Sequence, residues 1–382
     1  MDDGLILTQT KENAIQMANI VEKIAGKYGL KLNRNKCKIM IFNSKQKIKE
    51  IAEIEVVKNI KYLGIKIDNE RKWYKSQKLK SNETALKMTN IMYSILGNCC
   101  NRMLIGKTFW KGLALPTFMY GQEIIIYNES DLERMQRKEN NAYRMILQLP
   151  RYTANAFLRG EVGASSFKAR DMKNKIMYVK HALKEDGNGI VRKIIREEID
   201  RLDSEWIKKV DEYRKELELS WEAIQRESKE QIKERIQDWD TIQWRKEISS
   251  KTTLQIYRNA KNIISEENWF RNGQKYNVMM KARSDTLKLA WREWVMESEK
   301  ICKMCGLEVE TLKHFLIECN ELQSIRNNYI ELQWPKIESA EENIKKMLLL
   351  SEDNERREEY YIDLLWEMWM ERRRKCEEIN VE

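Results

Sequence analysis

Apolar residues recur every three or four positions through most of this chain, the spacing of one buried helix face. Residues 11–28 have that period through Ala14, Met17, Ala18, Val21 and Ala25, and Gly26 and Gly29 end it. Residues 72–106 read as one long or broken helix, and 107–120 as another disturbed at Pro116. Ser130-Asp131-Leu132-Glu133 has the spacing of a capping box, predicting a helix to about Leu149 that Pro150 stops. A further helix is expected from Ser166, with Met172, Ile176, Val179 and Leu183 on one face. Asp186-Gly187-Asn188-Gly189 is a turn and the best internal boundary. Charged helical sequence follows from Ile190 to about Ile248, and helices continue to the end, including Tyr361 to Trp369. Strand patterns are confined to the start: Leu5 to Thr8, a basic turn and strand over Gly29–Phe42, Ile54 to Val57, and Ile60 to Ile67. The expected fold class is mainly α with a small N-terminal α+β unit.

Composition agrees with a helical protein, since a third of the 382 residues are charged and only three are proline. No apolar run approaches membrane-spanning length, and the acidic Met1-Asp2-Asp3-Gly4 start lacks the basic region of a secretory signal. The seven cysteines form no evenly spaced disulfide framework, so a reducing intracellular location, nuclear or cytoplasmic, is expected. Net charge is +10 and unevenly spread: residues 1–120 hold 22 Lys and Arg against 10 Asp and Glu. All of the excess lies in that first third, which points to a polyanion partner there, with nucleic acid expected. The aromatics Trp206, Tyr213, Trp221, Trp239 and Trp244 accompany balanced charge and are expected to pack rather than to stack on bases.

Three of the seven cysteines and one of the two histidines crowd into eighteen residues as Cys302, Cys305, His314 and Cys319, spaced C-x2-C-x8-H-x4-C. Sulfur and imidazole donors at this spacing suit a tetrahedral Zn²⁺, closed and structural because protein fills all four positions. Gly306 follows the second cysteine, where a tight turn often needs positive φ. His314 and Cys319 are five apart on an expected helix from Glu310, so its last turn must loosen for both to reach one ion. The basic run Arg372-Arg373-Arg374-Lys375 has Glu371, Glu377 and Glu378 around it and reads as a solvated helix face.

An Asp-Asp pair before a short apolar run is a weak motif alone. Followed by a helix, the Gly29–Phe42 turn and strand, and Tyr62-Leu63-Gly64-Ile65, it is in the order of a polymerase palm. The chain resembles the C-terminal part of a non-LTR (LINE-type) retrotransposon reverse transcriptase. The resemblance implies that Asp2 and Asp3 are catalytic carboxylates and that Lys36 lies near the incoming nucleotide. It also implies that Lys31, Asn33, Lys38 and the primer-gripping Tyr62, Leu63 and Gly64 contact nucleic acid. Tyr120-Gly121-Gln122-Glu123 and Leu158-Arg159-Gly160-Glu161-Val162-Gly163 are similar to the thumb and the region after it, and Cys302 to Cys319 to a terminal zinc knuckle.

On that resemblance residues 1–70 are a partial palm, 71–185 a thumb-like helical region and 190–295 a charged helical region. Residues 296–322 are then the CCHC knuckle and 323–382 C-terminal helices. The implied cofactors are structural Zn²⁺ and, in the full-length polymerase, Mg²⁺. The implied partners are RNA, DNA and the remainder of the retrotransposon polyprotein, with no membrane. Two-metal nucleotidyl transfer needs carboxylates from two strands. The chain begins inside the Asp-Asp box, so it is expected not to polymerise alone while still binding nucleic acid. A host-retained, non-catalytic nucleic-acid-binding or zinc-dependent interaction protein is the alternative.

Overall fold

A computed structural model describes residues 4–31, 33–43, 48–97, 101–184, 186–271, 273–290, 296, 300–329, 340–351 and 357–379. It is mainly helical. The N-terminal end is the exception, because it contributes almost nothing to a core. Leu5 to Thr8, expected as a strand, pairs with no other segment among the described residues. With no ladder to satisfy its backbone, the apolar run Leu5-Ile6-Leu7 lies exposed. Helix α1 (Lys11–Lys27) starts as predicted under a Thr10 cap but buries no residue. Its apolar stripe, Met17, Ile20, Val21 and Ile24, faces solvent.

The basic turn holds a 3₁₀ segment at Arg34–Lys36, tied to α1 by Arg34 to Glu22 at 2.6 Å. The strand expected after it shrinks to one parallel bridge, Ile39 with Val56. Two antiparallel hairpins follow. Strands β1 (Glu50–Ile51) and β2 (Ile54–Glu55) pair in the register Ile51 to Ile54, across left-handed Ala52 and Glu53. The strand expected over Ile60–Ile67 is folded into a second hairpin, β3 (Asn59–Tyr62) and β4 (Ile65–Asp68). Leu63 at φ 45° and Gly64 at φ 83° make the two-residue turn, both in the left-handed region such a turn requires.

The helices then come in the order expected, with local changes. The 72–106 segment is α2 (Lys75–Gly97) and the start of α3 (Arg102–Phe109). A π-turn over Trp110–Ala114 leads into α4 (Leu115–Phe118), which has Pro116 in its first turn, where no N–H is missed. The capping box exists but belongs to Asn128 and Asp131, not to Ser130 and Glu133. Asn128 accepts from the Asp131 N–H at 2.9 Å, and Ser130 instead donates to the Asn128 side chain. Helix α5 (Glu129–Leu147) ends at left-handed Gln148. After α6 (Asn155–Val162) comes α7 (Phe167–Ala182), capped by Ser166 as predicted.

Next are α8 (Gly189–Arg201), α9 (Glu205–Glu216), α10 (Trp221–Arg226), α11 (Lys229–Ser249), α12 (Gln255–Ala260) and α13 (Gln274–Arg283). The C-terminal part holds α14 (Gln323–Asn328), α15 (Ala340–Met347) and α16 (Glu358–Ile379). No helix among the described residues is long and apolar enough to cross a membrane.

Two apolar cores result. The larger gathers α2, α3, α5 and α6 with the end of α11, α12, α13, the Cys/His segment, α15 and α16. The smaller is built from Met172, Ile176 and Val179 of α7 with Ile207, Val210, Tyr213, Ile224 and Ile232. Trp206, Trp221 and Trp239 pack on this second core and Trp244 is buried in the first, so these aromatics are packing residues.

Helix α6 is the linchpin of the first core. Every side chain from Ala156 to Val162 is buried. Arg159 pairs with Asp240 at 2.7 Å and Glu161 with Arg283 at 2.8 Å. A Cβ on Gly160 would lie 2.4 Å from the Tyr257 hydroxyl, so glycine alone lets α11 and α12 approach. The Leu158–Gly163 stretch thus supports the fold rather than a ligand.

Candidate metal centre and nucleic-acid interface

The metal centre begins with a short hairpin. Ile301 bridges Val309 antiparallel, the Glu310 N–H donates to the Lys300 carbonyl at 2.9 Å, and the Cys302 N–H to the Glu308 carbonyl at 2.7 Å. The chain reverses where the Gly306 N–H donates to the Cys302 carbonyl, and Gly306 takes the expected positive φ, 67°. The other two donors come from the segment after Thr311, whose hydroxyl accepts from the His314 N–H at 3.0 Å. His314–Glu318 is a π-turn closed by the Cys319 N–H on the His314 carbonyl at 2.8 Å. The helix loosens by one residue where the spacing required it.

The four donor atoms all lie within 4.8 Å of one another and could hold one metal ion. Cys302 Sγ and Cys319 Sγ are 3.9 Å apart, and Cys305 Sγ is 3.4 Å from His314 Nε2. Two thiolates on a tetrahedral ion with bonds of about 2.3 Å stand roughly 3.8 Å apart, so the spacing suits zinc. Their mutual hydrogen bond, helped by burial, pushes the Cys302 thiol up, and the same hydrogen bond, against burial, pulls the Cys319 thiol below its ordinary range. His314 Nδ1 lies 3.3 Å from a Glu308 carboxylate oxygen, which orients the ring and leaves Nε2 for the cluster. Cys302, His314 and Cys319 are buried, and Cys305 is half-buried.

Behind the cluster lie supports that the sequence pattern did not reveal. Arg326 is buried and donates to the carbonyls of Leu316 and Cys319, satisfying the groups the π-turn leaves open. Glu310 is fully buried and grips Arg372 through both oxygens, at 2.5 and 2.6 Å, while accepting from the Ala290 N–H at 2.6 Å. Phe315 packs edge-on against Trp369, 6.3 Å between centroids. Arg372 therefore does not share the solvated face expected of the basic run. Arg374 pairs with Glu371, and Lys375 with Glu321. Phe315 is buried in the main core.

Asp2 and Asp3 lie outside the described residues, as does Leu32 beside the expected nucleotide-binding turn. Lys31, Asn33, Lys36 and Lys38 are exposed on or beside the 3₁₀ turn, and Lys38 pairs with Glu55. The only described carboxylate closing the hairpin, Asp68, is occupied: it accepts from the Ser76 N–H and hydroxyl at 2.7 and 2.6 Å and so caps the start of α2.

Tyr62, Leu63 and Gly64 form the tip of the second hairpin, which rests on the helices. The Tyr120 hydroxyl donates to the Leu63 carbonyl at 2.8 Å, Lys80 Nζ to the Gly64 carbonyl at 2.6 Å, and the Lys66 N–H to Gln77 at 3.0 Å. Between tip, α2 and α4 runs a groove of about 440 Å³ lined by Lys61, Gly64, Lys80, Pro116, Thr117 and Tyr120, among others, with no carboxylate among the described residues. Lys61 and Lys66 stand directly opposite each other across the hairpin, a like-charge pairing that weakens a sheet. Partial burial, then the charges of Lys61 and Lys66, lower the Lys80 ammonium below its usual range. The signal in the sequence was the symmetric placing of two lysines about Leu63-Gly64; Lys80 gave none. A larger neighbouring cavity, about 700 Å³, carries Lys107 and Lys111, but Glu266 pairs with both.

No curated protein and no solved structure matches the chain. Residues 1–67, from the N-terminus through the second hairpin, match the family model for reverse transcriptase (RNA-dependent DNA polymerase), a family whose substrates are nucleic acids.

Proposed function

We propose that this chain is the C-terminal part of a LINE-type reverse transcriptase that grips nucleic acid through the β3–β4 hairpin but does not polymerise by itself. The observation that carries the reading is Lys61 opposed by Lys66 across the hairpin, with Lys61 and Lys80 lining a groove that has no carboxylate among the described residues. Three clustered cations cost stability unless a polyanion completes them, and phosphodiester backbone is the polyanion of the family matched at residues 1–67. RNA and DNA are thus the partners, with Tyr62, Leu63, Gly64, Lys31, Asn33 and Lys38 on the same N-terminal third. The Cys302, Cys305, His314 and Cys319 cluster holds a structural Zn²⁺ with no position left for a catalytic water. Mg²⁺ belongs to the Asp2 and Asp3 carboxylates of an intact palm, with Lys36 near the nucleotide. The described N-terminal residues form two-stranded hairpins rather than a wider sheet, and α1 buries nothing, which supports binding without polymerisation.

Binding of the purified chain to a labelled RNA–DNA hybrid should weaken steeply with salt. The double variant Lys61→Gln/Lys66→Gln should bind more weakly at every sequence tested and lower the log–log salt slope by about two. Unchanged affinity and slope would remove the hairpin from the interface. With an annealed RNA template and DNA primer, the same protein should give no Mg²⁺-dependent extension. Extension that Asp2→Ala abolishes would show that it polymerises after all.

A further inference from the structure

Far along the chain from the hairpin, α13 and α16 pack against each other beside the end of α5 and leave a groove of about 420 Å³. That volume is within the roughly 300–1,000 Å³ of ligand clefts. Its walls carry Lys281 and Arg373, the indoles of Trp366 and Trp369, the amides of Gln148, Gln274 and Asn277, and, among the described residues, no carboxylate.

Lys281 is the unusual member. Its ammonium is half-buried and has no ion pair among the described residues. Lys275, on the same helix, is by contrast held by both Glu359 and Asp363, at 2.7 and 2.8 Å. Burial, then the charge of Lys288, lowers the Lys281 ammonium below its usual range. A desolvated cation without a counter-charge is costly to the fold, and an anion in the groove would remove that cost.

The aromatic wall is fixed rather than loose. Trp369 is held edge-on by Phe315 of the Cys/His segment and has the Arg372 guanidinium 5.2 Å from its ring. Trp366 packs on the main core. Asn277 donates to the carbonyls of Leu147 and Gln148, which fixes the amide-bearing rim. Rigid half-buried indoles beside paired cations suit a base that stacks while its phosphate is neutralised.

We propose that the α13–α16 groove binds single-stranded nucleic acid, with a phosphate at Lys281 and Arg373 and an unpaired base on Trp366 and Trp369. The inference goes beyond the hairpin reading, because single strands rather than duplex would occupy it, and it can stand or fall separately.

The test uses the full chain, a fluorescent oligouridylate for affinity, and the same oligomer bearing one 5-iodouracil for photocrosslinking. Lys281→Gln should weaken oligouridylate binding several-fold and lower its salt slope by about one, without lowering Tm, since an unpaired charge is removed. Crosslinks of the unmodified protein should map to the peptide carrying Trp366 and Trp369. Lys281→Gln should leave RNA–DNA hybrid binding at the hairpin intact, whereas Lys61→Gln/Lys66→Gln should do the reverse. Crosslinks confined to other peptides, or oligouridylate affinity and slope unchanged in Lys281→Gln, would overturn the site. A phosphoserine peptide that competes as well as the oligomer would reassign it to phosphopeptides. Loss of hybrid binding only, in the hairpin variant, with no effect at Lys281 would leave the hairpin reading standing and this one refuted.

Discussion

Removing the proposed zinc with a chelator should loosen the whole C-terminal side of the main core, well beyond the hairpin that carries Cys302 and Cys305. Structural zinc contributes on the order of 10–16 kcal/mol of apparent folding energy in small modules. Here Cys302 and Cys319 are themselves core residues, packed with Leu312, Phe315, Leu316 and Leu322 in the cluster that includes α15 and α16. The Glu310 carboxylate that clamps Arg372 leaves the same hairpin. If the hairpin opens, that buried pair loses its geometry and Trp369 loses Phe315. Hydrogen exchange after chelator treatment should rise over residues 300–329 and again over 357–376, and Cys302→Ser should reproduce both changes. Unaltered exchange in both segments, with zinc shown to have left, would mean that the core holds the module without metal.

Arg283→Ala should cost about 3–5 kcal/mol, as expected for removing one partner of a fully buried pair. Arg283 and Glu161 are both wholly buried, 2.8 Å apart, and Arg283 also reaches Glu267 at 3.1 Å. Its guanidinium further donates to the carbonyls of Leu348 and Leu349, both at 2.7 Å, joining α6, α13 and the end of α15. Burial opposes the charge, yet Glu161 and Glu267 hold the Arg283 guanidinium above its ordinary range. The truncated protein is left with a buried carboxylate that only the longer contact to Lys261, at 3.9 Å, compensates, and with two carbonyls that have lost the guanidinium. Urea unfolding should give a markedly lower midpoint, and Arg283→Met/Glu161→Gln should recover part of the loss, because the stranded charge is then gone. A midpoint within experimental error of the unmodified protein would show that water replaces the guanidinium at no cost.

The helices were legible because their cues are local. Ser166 caps α7, and Met172, Ile176 and Val179 fall on its buried face, where the period put them. The clustering of the four Cys and His side chains was legible for the same reason: four candidate donors within eighteen residues leave little for tertiary structure to decide. The structure departs from the local pattern where two local cues compete or a distant partner decides. Asn128 and Ser130 both offer a cap, and geometry chose the earlier residue. Leu5 to Leu7 has a strand's composition, but a strand is defined by its neighbour. Arg372 resembles the arginines beside it and differs only in meeting Glu310, sixty-two residues away. Neither groove could have been read from the chain, because Lys80 meets Gly64, and Lys281 faces Trp366, only after folding.

The π-turn at His314–Glu318 makes backbone irregularity and ligand spacing a single property of the sequence. Deleting one residue between His314 and Cys319 would restore ordinary α-helical hydrogen bonding and improve the helix by every local measure. It would also swing the following sulfur by about 100° around the axis. Here insertions and deletions are constrained more tightly than substitutions. Exchanges at Ile317, only partly buried, keep the count of residues and so keep the cluster closed.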